Sequence, residues 1–272
     1  MTVEAVGAPA TVPTGTAEKL YVFESGGENS LKSLFDPWAA DCGEIGYIPY
    51  YFFAIEHQNG WVLVDVGAHP DLAHNARARL GAQADFSDIV MADGDDVVGK
   101  IRAVGIGPED VRHVILTHLH FDHAGGLGLL PRATVHVQTR EVEFATRPPV
   151  YQRDSYIPDD WAPVAQWAQH DGEHDLFGDG SIRMIPTPGH TPGHQSVLVR
   201  LQDRAVILVG DAAYHPEKMA ERKLPAYLWN PDILIESWEV LETLRDETGA
   251  ELVFSHYPAP SEIQIAPRPY GH

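Results

Sequence analysis

The chain has 272 residues, of which 44% are hydrophobic and 21% charged, and its formal net charge is −20 at pH 7 with the histidines neutral. These values are typical of a globular protein that can bury a core, and so negative a charge argues against a surface that holds nucleic acid. The single cysteine, Cys42, excludes an internal disulfide and a cysteine-based zinc site. Any metal must therefore be held by nitrogen and oxygen.

The N-terminal segment lacks the features of a targeting or membrane sequence. It has no basic stretch followed by a long apolar run, and no apolar run long enough to span a membrane occurs elsewhere. We therefore expect a cytoplasmic protein with no membrane partner. Residues 1–17, rich in Ala, Pro, Thr and Gly, are predicted to be a flexible tail, and residues 18–272 a single domain.

The first predicted elements are a β-hairpin, a helix and a strand. Residues 47–55 and 61–66 are mostly apolar runs separated by a turn with Asn59-Gly60, which is a strong hairpin signal. A helix in the nineties has one apolar face and ends at Gly105, and a strand at 111–116 follows. The apolar face of that helix consists of Val97, Ile101 and Val104. The strand leads the chain directly to His118.

The second half repeats this organisation. Strands are predicted at 182–185, 196–201, 205–209 and 251–254, and a helix begins at the N-cap Asn230 with Pro231 at its first position and ends at Gly249. The predicted buried face of this helix consists of Leu234, Trp238, Leu241 and Leu244. Strand ends with similar sequences, DVG at 65–67 and GD at 210–211, indicate two similar α/β halves. We expect these halves to pack sheet to sheet, with their loops meeting on one edge.

The densest motif is THLHFDHAGG at 117–126. In an extended segment, residues two apart point the same way, so His118 and His120 can bind one ion together. Asp122 and His123 can face a second ion after the chain turns at the two glycines. A solvated polar loop is the usual explanation for one isolated histidine, but it does not explain this spacing at the end of a strand. The motif therefore predicts two metal ions.

Further ligands are expected at other loop ends. His190 lies in the rigid loop TPGHTPGH, Asp211 follows the apolar run AVILVG, and His256 follows ELVFS. A shared carboxylate from Asp211 would give each metal three terminal ligands and one bridging ligand. The predicted sets are His118, His120 and His190 for one metal, and Asp122, His123 and His256 for the other. An open position for a bridging water would then remain, which is typical of a catalytic site.

Together these motifs resemble the metallo-β-lactamase superfamily. HLHFDHAGG, TPGHTPGH, GDAAY, the late SHYP and the early VLVDVG strand carry the resemblance, which covers most of the chain from about Tyr21 onwards. It implies an αβ/βα sandwich of four layers with a dinuclear site, usually of zinc. Within the superfamily the chain looks most like N-acyl homoserine lactone lactonases, because of TPGHTPGHQS and of Tyr214 three residues after Asp211. In those lactonases a tyrosine at this place contacts the substrate carbonyl.

The resemblance and the chemistry of two metals imply the same mechanism. A metal-bridging hydroxide would attack the lactone carbonyl, while one metal and the Tyr214 hydroxyl stabilise the oxyanion. Asp122 would carry the proton to the leaving alkoxide. The expected activity is the opening of the lactone ring of N-acyl homoserine lactones, which is quorum quenching. The lactonase resemblance also implies a homodimer. The stretch LPAYLWNP resembles a lactonase segment but departs from it at Tyr227, Leu228 and Asn230.

Some other polar residues have an expected role near the site, and others do not. Asp65 ends an apolar strand, and we expect it to bond a ligand histidine, since a buried acid needs a partner. His194 is predicted either to orient a ligand or to form part of a turn. His113 and His136 read as strand residues rather than ligands, and the remaining histidines outside the motifs, His57, His170, His174 and His215, are predicted to lie in turns or loops.

Residues 147–169 contain several aromatic side chains. This segment is predicted either to form a lid whose aromatic side chains line an acyl-binding groove, or simply to cover the core. The residues proposed for the groove are Tyr151, Tyr156 and Trp161.

Four other functions fit part of the pattern. A nuclease would use the same metals, but the net charge disfavours it. A thioesterase of the glyoxalase II kind shares the metal motif, and Tyr214 is the feature that favours a lactone substrate over a thioester. A hydrolase of another small lactone is a further alternative. A metal-binding sensor or interaction module without turnover would fill every coordination position with protein ligands. Acyl-chain preference and native metal do not follow from the sequence.

Overall fold

The computed structural model describes residues 15–256 and the backbone of Pro269–Tyr270. Residues 1–14 of the predicted flexible tail lie outside these described residues. The described end of that segment is held in place by hydrogen bonds. Gly15 N donates to Asp179 O at 2.8 Å, Ala17 N donates to Arg200 O at 2.7 Å, and Ala17 is fully buried. The folded domain therefore includes residues 15–17, which the predicted boundary had assigned to the tail.

The described elements are mostly strands, with helices between some of them. The strands are β1 (Lys19–Leu31), β2 (Ile45–His57), β3 (Gly60–Val64), β4 (Asp88–Val90), β5 (Val111–Ile115), β6 (Thr134–Gln138), β7 (Trp167–His170), β8 (His174–Asp175), β9 (Ile182–Pro186), β10 (Gln195–Arg200), β11 (Ala205–Gly210), β12 (Glu251–Phe254) and β13 (Pro269–Tyr270). The α-helices are α1 (Leu72–Leu80), α2 (Val97–Arg102), α3 (Phe121–Ala124), α4 (Thr139–Thr146), α5 (Pro158–Trp161), α6 (Pro216–Ala220) and α7 (Pro231–Thr248). Single 3-10 turns lie at Lys32–Leu34, Gly81–Asp85, Leu127–Leu129 and Arg153–Ser155.

The predicted hairpin and the predicted caps are confirmed. Strands β2 and β3 pair antiparallel around the Asn59-Gly60 turn. The Asn230 side chain accepts from the backbone N–H groups of residues 232 and 233 at the start of α7, and Gly249 ends that helix with a φ of 65°. Helix α2 begins at an Asp96 cap but stops before the predicted Val104. Within the described residues, no helix combines the length and the apolar character needed to cross a membrane.

The described strands form two mixed sheets. One has eight strands in the order β13-β1-β2-β3-β5-β6-β7, with β4 beside β1, and the other has five in the order β12-β11-β10-β9-β8. Parallel pairing joins β3 to β5, β5 to β6 and β6 to β7 in the first sheet, and β11 to β12 in the second. The remaining neighbours pair antiparallel.

Three apolar layers hold the sheets and helices together. The central layer lies between the sheets, where Val62, Val64 and Ile115 pack in one cluster with Met184 and Leu208 of the second sheet. A second cluster joins the outer face of the first sheet to α2 and α4, and a third joins the second sheet to α6 and α7. Helix, sheet, sheet and helix therefore form four layers, which confirms the predicted αβ/βα sandwich.

Parallel pairing brings the site loops to one edge. Because β3 and β5 run the same way, Asp65 and the 117–123 segment leave the first sheet side by side. Strands β11 and β12 do the same for Asp211 and His256 in the second sheet. The loop between β9 and β10 carries His190 to the same edge.

A chain of histidines connects the two sheets away from that edge. His113 Nδ1 lies 3.0 Å from His136 Nε2, and His136 Nδ1 lies 3.0 Å from His170 Nε2. The ring of His170 stacks on that of His174 in the second sheet, with centroids 3.9 Å apart. Burial lowers the pKa of His136 to about 3, and the neighbouring histidines act in the same direction. His113 and His136 lie in strands, as predicted, but the prediction that His170 and His174 lie in loops is wrong, because both belong to short paired strands.

Candidate metal centre

The first group of site atoms is formed by three imidazole nitrogens and one carboxylate oxygen. His120 Nδ1 lies 2.9 Å from His118 Nε2 and 3.1 Å from His190 Nε2. Asp211 Oδ2 lies 3.5 Å from His190 Nε2 and 4.0 Å from His118 Nε2. All four residues are buried. We call these atoms group 1.

The second group is formed around the other oxygen of the same aspartate. Asp211 Oδ1 lies 3.3 Å from His123 Nε2 and 3.2 Å from His256 Nε2, and these two nitrogens are 3.2 Å apart. Asp122 Oδ2 lies 3.4 Å from each of the two nitrogens. We call these atoms group 2. The carboxylate of Asp211 thus presents one oxygen to each group.

The donor sets and their spacing fit divalent cations. Tetrahedral zinc with metal–nitrogen distances of about 2.0–2.1 Å separates its ligand atoms by about 3.3 Å, which is the spacing within group 2. Asp211 Oδ1 is also buried without a hydrogen-bond partner among the described residues, although two imidazole nitrogens lie next to it. Buried polar atoms ordinarily have a partner. A cation among these nitrogen and oxygen atoms would satisfy them.

Neighbouring groups hold most of the imidazoles in one orientation. His256 Nδ1 donates to Pro49 O at 2.7 Å, and His190 Nδ1 donates to Tyr227 O at 3.3 Å. His118 Nδ1 lies 3.0 Å from the Thr117 hydroxyl. Because donation from Nδ1 leaves Nε2 with its lone pair, these contacts turn a basic nitrogen towards the site centre.

Asp65 links two of the histidines through one carboxylate. It accepts from the Thr117 backbone N–H at 2.8 Å and from the Thr117 hydroxyl at 2.9 Å, and its Oδ2 lies 2.8 Å from His123 Nδ1. Since the hydroxyl gives its proton to Asp65, it accepts from His118. Asp65 is fully buried and has a φ of 57°, a backbone conformation that non-glycine residues seldom adopt. The sequence-based expectation for Asp65 agrees with this placement.

His194 and Gly189 set the position of the surrounding loops. His194 Nε2 accepts from the backbone N–H of Asp211 at 3.0 Å, so its ring supports the shared carboxylate. Burial lowers the pKa of His194 to about 3, which keeps that nitrogen an acceptor. Gly189 has a φ of 138°, and a Cβ there would lie 2.5 Å from Leu234 of α7. Only glycine therefore allows the His190 loop to approach this helix so closely.

Glu141 was missed by the sequence analysis. It is fully buried at the start of α4 and accepts from Leu119 N at 3.0 Å, from the Tyr156 hydroxyl at 2.9 Å and from the Thr191 hydroxyl at 2.6 Å. Leu119 lies between two histidines of group 1, and Thr191 follows the third. One carboxylate thus holds both loops of group 1. Glu141 and Ala145, four residues apart, are the buried residues of α4.

The two groups differ in their electrostatic environment. Burial lowers the pKa of His118, His120 and His190, and nearby imidazoles act in the same direction. Burial also opposes charge on His123 and His256, but nearby carboxylates outweigh it and raise their pKa. Those carboxylates are Asp122 and Asp211 for both rings, with Asp65 added for His123. Group 1 therefore offers neutral lone pairs, and group 2 favours a positive charge.

A cavity of about 260 Å³ opens onto both groups. Tyr214 lines it, and its buried hydroxyl donates to Asp211 Oδ2 at 3.1 Å and lies 3.3 Å from His190 Nδ1. Burial raises the pKa of Tyr214 well above its usual value, so the hydroxyl keeps its proton. Tyr227, a position where the sequence departs from the lactonase segment, also lines the cavity.

The aromatic segment at 147–169 brings one of its three proposed groove residues to the cavity. Tyr151 lines the cavity, where 56% of its surface is exposed, but Tyr156 and Trp161 do not line it. The hydroxyl of Tyr156 bonds Glu141, which places its ring beside His120 with centroids 4.6 Å apart. Trp161 packs against Tyr156 and the outer core of the first sheet. Of the two roles predicted for this segment, the positions of these two side chains fit the one in which it covers the core, and from there they support the site.

Comparisons with known proteins agree with this architecture. The family model of the metallo-beta-lactamase superfamily matches residues 46–256. The chain is 38% identical to the N-acyl homoserine lactonase AttM of Azorhizobium caulinodans over 217 residues, which are 78% of this chain and 82% of the relative. It is 28% identical to an N-acyl homoserine lactonase of Bacillus thuringiensis over 248 residues, covering 89% and 94% of the two chains.

A solved structure shares the fold along nearly the whole chain. It is that of an N-acyl homoserine lactone hydrolase with the product N-hexanoyl-L-homoserine bound at the catalytic metal centre. The TM-score is 0.80 at 26% sequence identity, and the match covers 89% of this chain and 94% of the other. With its fold, its histidine and aspartate groups and these relatives, the chain belongs to the metallo-β-lactamase superfamily.

Proposed function

We propose that the protein opens the lactone ring of N-acyl homoserine lactones with two divalent metal ions, for which zinc is the expected element. Group 1 would hold one ion and group 2 the other, with Asp211 shared between them. The observation that carries the proposal is this shared carboxylate, which points one oxygen at each group inside a cavity lined by Tyr214. The relatives named N-acyl homoserine lactonase support the substrate class.

Two bound ions would supply an acidified water as nucleophile and positive charge for the developing oxyanion. The residues of the chain would position and protonate the substrate. Tyr214 retains its proton and can donate it in a hydrogen bond to the lactone carbonyl oxygen, an interaction that strengthens as negative charge develops there. Asp122 lines the cavity, and its carboxylate can accept a proton and return it to the leaving alkoxide.

The cavity mouth supports an amphipathic substrate. Phe86, Val150 and Tyr151 line it with 80%, 74% and 56% of their surfaces exposed. These apolar side chains can cover an acyl chain, which would gain about 0.8 kcal/mol for each methylene removed from water. The net charge of −20 disfavours a polyanionic substrate such as a phosphodiester. Hydrolysis of bacterial acyl homoserine lactone signals would make the protein a quorum-quenching enzyme.

Comparing substrate classes tests the proposal. The metal-loaded protein would be given N-hexanoyl homoserine lactone, a glutathione thioester, a β-lactam and a phosphodiester, and the products would be identified by mass. We expect the lactone to be converted to the ring-opened acid with its amide intact. Faster turnover of the thioester would favour the glyoxalase II type of activity instead. Metal binding without hydrolysis of any of these compounds would contradict an enzymatic role.

A further inference from the structure

A buried carboxylate that the proposed reaction does not use lies in the cavity wall. Glu28 of β1 is only 6% exposed, and its Oε2 has no hydrogen-bond partner among the described residues. Tyr50 is 2% exposed, and its hydroxyl lies next to the same carboxyl group. Both residues line the cavity, together with Ser87. We call these three residues the polar notch.

A buried carboxyl oxygen such as Glu28 Oε2, which has no partner among the described residues, is costly to keep. A buried polar group that loses its hydrogen bonds to water and gains none in the protein destabilises the fold. Burial raises the pKa of Glu28, and hydrogen bonding of its carboxyl group to the hydroxyls of Ser87 and Tyr50 only opposes that rise, while Oε2 stays unpaired. Such groups are expected to find their partners in a ligand or in ordered water.

The polar notch and Tyr214 face different parts of the site. The charged neighbours of Glu28 are Asp122 and His256, which belong to group 2. The hydroxyl of Tyr214 contacts Asp211 Oδ2 and His190, which belong to group 1. A substrate whose carbonyl lies at Tyr214 can therefore present a second polar atom to Glu28. Phe121 and Phe86 provide apolar wall nearby.

The chemistry of a lactone restricts what that second atom can be. The ring itself offers only two acceptors, the carbonyl oxygen and the ring oxygen, and Glu28 in its ionised form, which the hydrogen bonds with Ser87 and Tyr50 favour, is only an acceptor as well. The ring thus cannot satisfy Glu28, and a donor must come from a substituent. An acyl amide provides an N–H, and an acyl chain with a hydroxyl group provides an O–H.

We propose that the polar notch binds a hydrogen-bond donor on the substituent of the lactone, and so selects lactones that carry such a donor over plain alkyl or acyloxy lactones. The inference rests on the proposed lactone hydrolysis and narrows its substrate class. Glu28 is the residue that accepts the donor, and Tyr50 completes the notch. The reacting carbonyl is not involved.

The test compares substrates that differ by one donor. N-hexanoyl homoserine lactone has the amide N–H, α-hexanoyloxy-γ-butyrolactone replaces that group with oxygen, and the 3-hydroxy forms of both add an O–H. A hydrogen bond to a charged group corresponds to a preference of about ten- to a hundredfold in kcat/KM. We expect the wild-type protein to prefer the donor-bearing compound by this factor. A preference for the amide over the matching acyloxy compound identifies the amide N–H as the donor. A preference for a 3-hydroxy compound over its parent identifies the hydroxyl group.

Variants then assign the preference to the notch. Glu28→Ala should reduce it to near unity while the acyloxy lactone is still hydrolysed, and Tyr50→Phe, which removes only a hydroxyl, should reduce it partially. Glu24→Gln changes a carboxylate of the same strand that bonds Tyr47 and does not line the cavity, so it should keep the preference. If Glu28→Ala fails to fold, Glu28→Gln, which removes the charge with almost no change of shape, takes its place and should lower the preference.

Several outcomes would overturn the inference. Equal hydrolysis of all four compounds by the wild-type protein would show that no donor is recognised. An unchanged preference in Glu28→Ala, or in Glu28→Gln if that variant is used, would show that another residue recognises it. Failure to hydrolyse any of the lactones would refute the proposed function and this inference with it.

Discussion

The histidine chain between the sheets makes the stability of the fold depend on pH. His136 has a pKa of about 3 in the folded protein against an ordinary value of 6.5. As the pH falls below 6.5, the unfolded chain therefore binds a proton at this residue before the folded protein does. The stability that depends on a neutral His136 is fully present above pH 6.5 and is lost progressively as the pH falls towards 3.

The size of the effect follows from these two pKa values. Between pH 8 and pH 5 the unfolded form gains almost one proton at His136 and the folded form gains almost none. This difference lowers the free energy of unfolding by about 2 kcal/mol. Burial also lowers the pKa of His113 and His170, so their contributions have the same sign.

Urea unfolding of the wild-type protein and of His136→Gln at both pH values isolates this residue. The measurement at pH 8, where the ring is neutral in both states, gives the cost of replacing it. Excess metal in all samples makes the pH dependence of metal binding common to the two proteins, so it cancels in the comparison. The variant should lose about 2 kcal/mol less than the wild type between pH 8 and pH 5. Equal losses in the two proteins would refute the assignment of a neutral, buried His136.

Three substitutions test the site. Tyr214→Phe should keep both metals and lower kcat/KM for the lactone by about ten- to a thousandfold, the range for loss of an oxyanion donor; unchanged turnover would remove Tyr214 from the mechanism. Asp65→Asn, which suits the positive φ but weakens the bond to His123 Nδ1, should reduce metal affinity by about ten- to a hundredfold in a chelator competition. Equal affinities would mean that Asp65 does not orient that ring. Glu141→Gln should lower the free energy of unfolding by about 1–3 kcal/mol and weaken metal binding, while Glu143→Gln, at an exposed position of the same helix, should change stability by less than about 0.5 kcal/mol. Equal behaviour of these two variants would show that Glu141 does not hold the loops.

The residues grouped at the edge of the sandwich could be predicted because each directly follows a recognisable strand or lies in a short rigid loop. His118 follows β5, Asp211 follows β11 and His256 follows β12 by only a few residues, so the ends of neighbouring strands bring them together. Their side-chain types also limit the chemistry, since clustered imidazoles and carboxylates are costly to bury without a cation.

Residues whose role depends on distant packing could not be predicted. Glu141 looks like an ordinary helix residue until the loops of group 1 close over it. Glu28 belongs to β1, but the two glycines before it interrupt the sequence pattern by which a strand is recognised. Gly26 has a φ of 69°, and the pairing of β1 with β2 shifts register between Glu24 and Gly27. A register shift of this kind changes which side chains face the cavity, and it cannot be recognised from the periodicity of apolar residues in the sequence.

In the proposed reaction, lactone hydrolysis depends on two ions held by a shared Asp211. Titrating metal-stripped protein with zinc, while proton release reports the opening of N-hexanoyl homoserine lactone, measures this dependence. Activity should rise until about two equivalents of zinc are bound per chain, one for each ligand group, and the product should be the free acid with its amide intact. Full activity with one equivalent, or activity that persists without metal, would contradict this dependence on two ions.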